Sequence, residues 1–233
     1  MFYPKGLPHR RELEHLSRQV GSVEINGTFY ALQKPSSFRT WAAQTPDDFV
    51  FAIKGSRFIT HMKRLRDPHE ALGRFFDSGM LTLGPKLGPF LWQLPPTLRY
   101  DPDLLTDFFR ALPRTHEGRP LRHALEVRHD SFRDPGFLPL LRAHDIALVI
   151  ADTANTFLYL EAVTADFVYI RLHGEEELYT SGYTDESLDR WAAKIRTWSQ
   201  DHDVYAYFDN DAKVMAPRDA MALAARLKSS PPV

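Results

Sequence analysis

Seven short runs of apolar and β-branched residues recur along the chain, separated by longer stretches in which apolar residues repeat at helical spacing. Runs of this length, bounded by polar or proline positions, are typical of buried β-strands. The predicted strands are residues 23–26 (VEIN), 49–54 (FVFAIK), 89–94 (PFLWQL), 124–128 (ALEVR), 146–151 (IALVIA), 167–172 (FVYIRL) and 204–208 (VYAYF).

The stretches beside these runs place apolar residues on one face of a helix. A repeated order of strand, helix and strand favours parallel strands with helices packed outside the sheet. We therefore expect one continuous α/β domain over residues 1–233. The clearest helical sets are Leu13, Leu16 and Val20; Leu104, Phe108 and Phe109; Leu188, Trp191, Ala192, Ile195 and Trp198; and Ala220, Leu223, Ala224 and Leu227.

The number of strands bears on the architecture. An eight-stranded TIM (β/α)8 barrel typically needs about 250 residues, whereas this chain has 233 and opens on a helical stretch. The sequence thus predicts a TIM-type barrel with seven strands, whose first strand is absent from this chain. An open doubly wound sheet is the structural alternative.

The two faces of the predicted strands differ in polarity, because side chains alternate across a strand. One face stays apolar, whereas the other becomes polar toward the carboxyl end, as in Phe167, Tyr169, Arg171 and His173. Charged side chains at the carboxyl ends of such strands lie where α/β enzymes build their active sites. The alternative is a set of structural ion pairs, such as Glu126 with Arg171, that fills the barrel interior.

Composition and charge narrow the class of protein. The 29 Lys and Arg against 30 Asp and Glu leave a net charge of −1, so no global basic field attracts nucleic acid or anionic membrane. The absence of cysteine removes disulfides, thiolate zinc sites and cysteine nucleophiles. The opening residues hold no apolar stretch of signal-peptide length, and residues 146–151 are too short to span a membrane. We expect a cytoplasmic protein with no membrane partner.

Seven segments, taken in order, resemble the motifs of a known family. They are FYPKGLP (2–8), VEINGTFY (23–30), FVFAIKGSRFITH (49–61), LGPFLWQLPP (87–96), ALEVRHDSF (124–132), DFVYIRLHG (166–174) and VYAYFDND (204–211). Together they are similar to the YecE-like family, domain of unknown function 72 (DUF72). The resemblance implies a TIM-barrel fold and supplies no established activity.

Three features depart from that family's pattern. Family members usually begin with a glycine-rich first strand and a Trp-containing turn, whereas here Met1 directly precedes Phe2. Either the start is placed too late or the barrel is incomplete. Phe132 stands where the family often has Trp, and Asp209 where Asn is common. These two departures concern local packing and one contact at the rim.

Carboxylates at the predicted strand ends are the first candidate catalytic groups. Two carboxylates across a sugar-sized gap can carry out glycosidic chemistry. We expect Glu126 to be the general acid or base, with Glu24 or Asp152 as its partner carboxylate. His173 follows a strand end and would move protons or ligate a metal.

The histidines and carboxylates are residue types that can bind a divalent metal, so a metal cofactor is one interpretation of this cluster. The candidate ligands are His61, His129 and Asp209, each close to a predicted strand end. The sequence holds no closely spaced ligand pair, so such a site would have to be assembled in space. A hydrogen-bonded histidine at the rim is the alternative for each of the histidines.

Cations and amides near the same strand ends are the candidate substrate-binding groups. Arginine forks and lysine ammonium groups bind carboxylates and phosphates. A solvated basic loop is the expectation for Lys63, Arg64 and Arg66. The expected substrate-binding residues are Asn26, Tyr30, Lys54, Arg57, Gln93, Arg128, Arg171 and Asn210.

These candidates favour a hydrolase or isomerase that binds a small anionic, phosphate-bearing or sugar-like substrate at the barrel mouth. The first alternative is a metal-dependent, nuclease-like enzyme of nucleic acids, which the local basic cluster favours and the near-neutral charge opposes. The second alternative is a non-catalytic ligand-binding barrel. The chain has no GxGxxG fingerprint and no GxSxG elbow, which opposes Rossmann-type dinucleotide binding and α/β-hydrolase chemistry. Substrate, reaction and oligomeric state stay open.

Overall fold

A parallel β-sheet curled into a barrel forms the centre of the chain, as a computed structural model describes it for residues 2–228. Met1 and residues 229–233, which the predicted single domain includes, lie outside the described residues. The strands are β1 (Ser22–Ile25), β2 (Val50–Lys54), β3 (Leu87–Gln93), β4 (His123–Glu126), β5 (Ile146–Asp152), β6 (Phe167–Leu172) and β7 (Asp203–Phe208).

Each strand pairs in parallel with the next one along the chain, so the seven strands stand in sequential order. A doubly wound sheet would instead reverse its strand order at a switch point. The prediction of a TIM-type barrel with seven strands is therefore confirmed. Within the described chain β1 and β7 do not pair, and the barrel remains open along this line, which we call the open seam.

Helices surround the sheet on its outer face. Proline occupies the first helical position of α3, α4 and α5, where its missing N–H costs no hydrogen bond. Asp101 and Thr184 cap α5 and α7 by accepting from the backbone N–H of Leu104 and Ser187. The helices are α1 (Glu12–Leu16), α2 (Gly27–Tyr30), α3 (Pro35–Gln44), α4 (Pro68–Phe76), α5 (Pro102–Ala111), α6 (Phe137–Ala143), α7 (Asp185–Trp198) and α8 (Ala216–Lys228).

The sheet separates two kinds of core. Outward side chains such as Phe51, Phe90 and Trp92 pack against the helices. The inward face is built from smaller aliphatic residues and three aromatic rings, and the small residues on β2, β4 and β5 leave room for long polar side chains. The inward residues are Ala52, Leu91, Ala124, Ala147, Val149, Ala151, Phe167, Tyr169 and Tyr207.

The open seam holds a cavity of about 550 Å³. Apolar side chains of β7 and α8, including Val204 and Leu223, line much of it. Glu24, Asn26 and Asp209 line it too, so the cavity borders the carboxyl ends of the strands. Among residues 2–228, no helix combines the length and the apolar content that a bilayer crossing requires.

Glycine is required at position 55 because the backbone there lies close to a buried side chain of β3. Its replacement tests the packing of β2 against β3. A Cβ at Gly55 would lie 2.3 Å from Cε3 of Trp92, whose ring is fully buried and hydrogen-bonded to His123. We expect Gly55→Ala to lower the free energy of unfolding by about 1–3 kcal/mol, the usual cost of overpacking. Urea denaturation measures this loss.

Gly73→Ala is the matched control, because Gly73 lies inside α4 and a Cβ there meets nothing within 4 Å. Alanine favours the helix by roughly 0.5–1 kcal/mol over glycine. A gain at Gly73 and a loss at Gly55 are expected. Equal effects at the two positions would contradict the close contact with Trp92.

Candidate functional site

A fully buried arginine occupies the carboxyl end of the barrel interior. Arg171 donates from Nη1 to Oε2 of Glu126 at 2.7 Å and from Nη2 to Oε1 of Glu24 at 2.8 Å. Its Nε reaches Oε2 of Glu24 at 3.0 Å, and Nη2 reaches Oδ2 of Asp209 at 2.9 Å. One guanidinium therefore joins carboxylates from β1, from β4 and from the residue after β7.

Further hydrogen bonds complete these carboxylates. Tyr169 donates from its hydroxyl to Oε2 of Glu24 at 2.8 Å, and Arg128 donates from Nε to Oε1 of Glu126 at 2.8 Å. Nδ1 of the fully buried His173 lies 3.2 Å from Oδ2 of Asp209. We call this set the Arg171 network: Glu24, Glu126, Arg128, Tyr169, Arg171, His173 and Asp209.

The network keeps Glu126 and Asp209 ionised. Burial by itself would raise the pKa of Glu126, but the charges of Arg171 and Arg128 outweigh it and hold that pKa well below its usual range. Burial also opposes ionisation of Asp209, yet the hydrogen bond with His173 and the charge of Arg171 lower its pKa. Both carboxylate oxygens of Glu126 accept hydrogen bonds from arginine side chains. This arrangement is more typical of a carboxylate that positions cations than of one that transfers protons.

A second group of cations lies beside the network. Lys54 ends β2 and is only 8% exposed, with its Nζ 4.8 Å from the ring centroid of Phe29. The His61 ring lies 5.1 Å from the same phenyl ring. Within residues 2–228, neither Lys54 nor the exposed Arg57 has a side-chain hydrogen bond or a carboxylate at ion-pair distance. The mouth therefore carries cationic groups that no carboxylate of the described residues contacts directly, although Glu24, Glu126 and Asp209 act on Lys54 through space.

His61 reports the electrostatic field of this group. Burial lowers the pKa of His61, and the charges of Arg128, Arg57 and Lys54 lower it further. These three cations therefore act on one side chain, and its imidazole is neutral at pH 7. Arg128 also contacts Tyr179 and Phe157, with its guanidinium carbon 4.6 Å from the phenyl centroid of Phe157.

The sequence pattern of "Protein of unknown function DUF72" matches residues 1–232, nearly the whole chain. The chain belongs to the DUF72 family. Among curated DUF72-like proteins, it is 35% identical to UPF0759 protein YecE of Escherichia coli over 121 residues, which cover 52% of this chain and 42% of YecE. It is 23% identical to UPF0759 protein YunF of Bacillus subtilis, over 90% of this chain and 84% of YunF.

Solved DUF72 structures share the fold. A DUF72 family protein of Thermotoga maritima matches with a TM-score of 0.84 and 26% identity, covering 97% of this chain and 93% of that one. A DUF72 family protein of Enterococcus faecalis gives a TM-score of 0.81 at 19% identity, covering 94% and 89%. The YecE match spans less than half of that relative's length. These comparisons support the expected DUF72 resemblance and barrel, and they name no substrate.

Asp152 and Asn210 do not join the other predicted site residues. Asp152 shares the outward parity of Leu148 and Ile150 on β5, and it accepts a hydrogen bond from Tyr183 beside α7. Asn210 is fully buried and donates to Ser181 and Asp219. Alternation places both on the side opposite the barrel interior, so the expected pairing of Asp152 with Glu126 is not formed.

The remaining predicted substrate contacts differ in exposure. Gln93 is buried beside Glu126, its register partner in the sheet, whereas Tyr30 is 75% exposed. Asn26 lines the open-seam cavity, and its buried Oδ1 has no hydrogen-bond partner within the described chain. A ligand hydroxyl or amide could satisfy this oxygen.

The candidate metal ligands are not brought together as a metal site. Across residues 2–228, no three His, Asp or Glu side chains are arranged to hold a metal ion. His129 caps a short helix at Asp130–Arg133 by accepting from the N–H of Ser131. His61 pairs with the hydroxyl of Thr60, and Asp209 belongs to the Arg171 network. A metal site formed by these three residues is therefore absent from this arrangement.

Tyr169 and Phe157 contribute to the site although the sequence did not single them out. Tyr169 stands two residues before Arg171 on β6 and so shares its inward face. This spacing could have identified it as a partner for Glu24. No local pattern marks Phe157, because its contact with Arg128 joins separate loops.

Removal of Arg171 tests the network. Arg171→Met would leave Glu24 and Asp209 without an arginine partner and Glu126 with Arg128 alone, and we expect a loss of about 3–5 kcal/mol in the free energy of unfolding. Arg122→Met is the control, because Arg122 pairs with exposed Asp166 and Asp203. Its expected loss is below about 1 kcal/mol. Equal losses in urea denaturation would contradict the central role of Arg171.

The stability of the protein should fall at acid pH. The ordinary pKa of a carboxyl group is about 4, and the pKa values of Glu126 and Asp209 are lowered in the folded protein. Below about pH 4 the unfolded chain therefore binds more protons, and the free energy of unfolding decreases as pH falls. Urea denaturation between neutral pH and about pH 3 measures this slope. Glu126→Gln should make it shallower, and an unchanged slope would argue against a depressed pKa.

Proposed function

We propose that the mouth of the barrel binds a small anionic ligand, bearing phosphate or carboxylate, through Lys54, Arg57, Arg128 and His61. The observation that carries the proposal is the pairing of charges. The carboxylates of the Arg171 network are held by arginines, whereas Lys54 and Arg57 lack a carboxylate at ion-pair distance within the described residues. An anion would compensate these charges.

The burial of Lys54 supports the proposal. Withdrawing an ammonium group from water is costly unless an anion or several acceptors replace the lost hydration. Lys86, another buried lysine, has such acceptors: its Nζ donates to the carbonyl oxygens of Ala42 and Thr45 at 2.6 and 2.8 Å. Lys54 has no such acceptor within the described residues: its Nζ faces the Phe29 ring, and Glu24, Glu126 and Asp209 act on it only through space. Burial of the Lys54 ammonium group is thus unfavourable in the free protein, and a bound anion would offset that free energy.

Glu24, Glu126 and Asp209 are positioning residues in this proposal. Their carboxylates hold Arg171 and Arg128 in place, and the lowered pKa values of Glu126 and Asp209 keep those two groups ionised.

Replacement of Arg57 tests anion binding with little risk to the fold, because this side chain is exposed. Inorganic phosphate is titrated into the protein by calorimetry at low salt. We expect the wild type to bind and Arg57→Ala to raise the Kd about tenfold, or about 1.4 kcal/mol, through loss of one charged contact. Affinity should also weaken as salt is added.

Arg66→Ala is the matched control, because Arg66 is an exposed cation of the same basic loop. It should leave phosphate binding unchanged. Equal effects at Arg57 and Arg66, or no phosphate binding by the wild type, would overturn the proposal. A single-stranded oligonucleotide is titrated in parallel. Binding of the oligonucleotide without binding of phosphate would favour the nucleic-acid alternative instead.

A further inference from the structure

Lys54 is a buried lysine whose amine makes no hydrogen bond or ion pair within the described residues. The charges that act on its Nζ are those of Arg171, Glu24, Glu126 and Asp209. Lys86 shows what a structural buried lysine looks like in the same protein, since three oxygens surround its Nζ. The lone pair of a neutral Lys54 amine would therefore be free to react.

The surroundings of Lys54 favour the neutral amine more than water does. Burial lowers the pKa of Lys54, and the positive charge of Arg171 lowers it further, partly opposed by Glu24, Glu126 and Asp209. A desolvated lysine beside another cation is the setting in which an amine becomes a nucleophile toward carbonyl compounds.

Other groups of the mouth can serve a carbonyl ligand. His61 packs against the Phe29 ring, which Lys54 also contacts. The neutral imidazole of His61 can accept or donate a proton. Arg57 and Arg128 act on His61 and can hold an anionic group at the other end of a short molecule. A carbonyl carbon near Lys54 and an anion near the arginines fit one small substrate.

We propose that Lys54 is a nucleophile that forms a Schiff base with the aldehyde or ketone group of a small anionic substrate. This inference rests on the proposed anion-binding function and names the chemistry of the same site. The amine lone pair adds to the carbonyl carbon, and a proton moves from nitrogen to the alkoxide oxygen. Loss of water from the carbinolamine, assisted by a proton, then gives the protonated imine. One C=N bond replaces one C=O bond, and no oxidant is needed.

Reductive trapping tests this proposal. The protein is incubated with glyoxylate, an aldehyde that carries a carboxylate, together with cyanoborohydride, which reduces an imine to a stable secondary amine. Peptide mapping by mass spectrometry then locates the modified lysine. We expect Lys54 to be labelled at least about tenfold faster than Lys63, a lysine of the neighbouring loop, because a lowered amine pKa leaves more of the neutral nucleophile.

Two variants sharpen the test. Lys54→Arg keeps a positive charge but has no reactive amine, so rapid labelling should disappear, with folding checked by thermal denaturation. Lys63→Arg should leave the rate at Lys54 unchanged. Labelling of Lys54 no faster than that of Lys63 would overturn the proposal, and so would rapid labelling that persists at other lysines in Lys54→Arg.

A second aldehyde separates this proposal from the function on which it rests. Acetaldehyde carries no anionic group, so it tests the amine alone. Phosphate binding without rapid labelling of Lys54 by either aldehyde would refute the nucleophile and retain the anion site. Rapid labelling by acetaldehyde, without phosphate binding or any preference for glyoxylate, would retain the nucleophilic amine and refute an anionic substrate.

Discussion

The ion pairs of Arg171 are the interaction on which the interior of the barrel depends. A curled parallel sheet directs the inward side chains of every strand into one space, and here β1, β4 and the end of β7 each contribute a carboxylate. Three carboxylates so close together would repel one another and would lose their hydration. The guanidinium of Arg171 bonds to all of them, so their burial is compatible with a folded barrel.

This arrangement also separates the site into two electrostatic parts. The Arg171 network pairs its three carboxylates with Arg171 and Arg128, and the lowered pKa of Glu126 follows from that pairing. The cations beside it are left without such partners, most clearly Lys54. In our proposal, the carboxylates that the sequence predicts as acid and base catalysts act as supports, and the reactive groups are an amine, an imidazole and two arginines.

The open seam between β1 and β7 is the second feature that shapes the barrel interior. With seven strands in sequential order, the sheet curls far enough for Arg171 and Tyr169 on β6 to reach Glu24 on β1 across the interior, yet β1 and β7 do not pair. DUF72 structures from two other bacteria superpose on most of this chain. The cavity in the seam borders Glu24, Asn26 and Asp209, which connects the barrel mouth to the gap between the edge strands.

The sequence by itself determined the seven strands, their parallel order and the inward face of β6, because periodicity of two and strand–helix alternation are local properties of the chain. The same alternation, followed through β5 and past β7, would have placed Asp152 and Asn210 on the outward side. Only the tertiary structure decided which charges become partners. Arg171 and Glu24 are 147 residues apart and meet because the sheet curls around them, and no local pattern encodes that curvature. The curvature of the sheet therefore brings Glu24 and Asp209 to Arg171, and Lys54 is left without a direct carboxylate partner among the described residues.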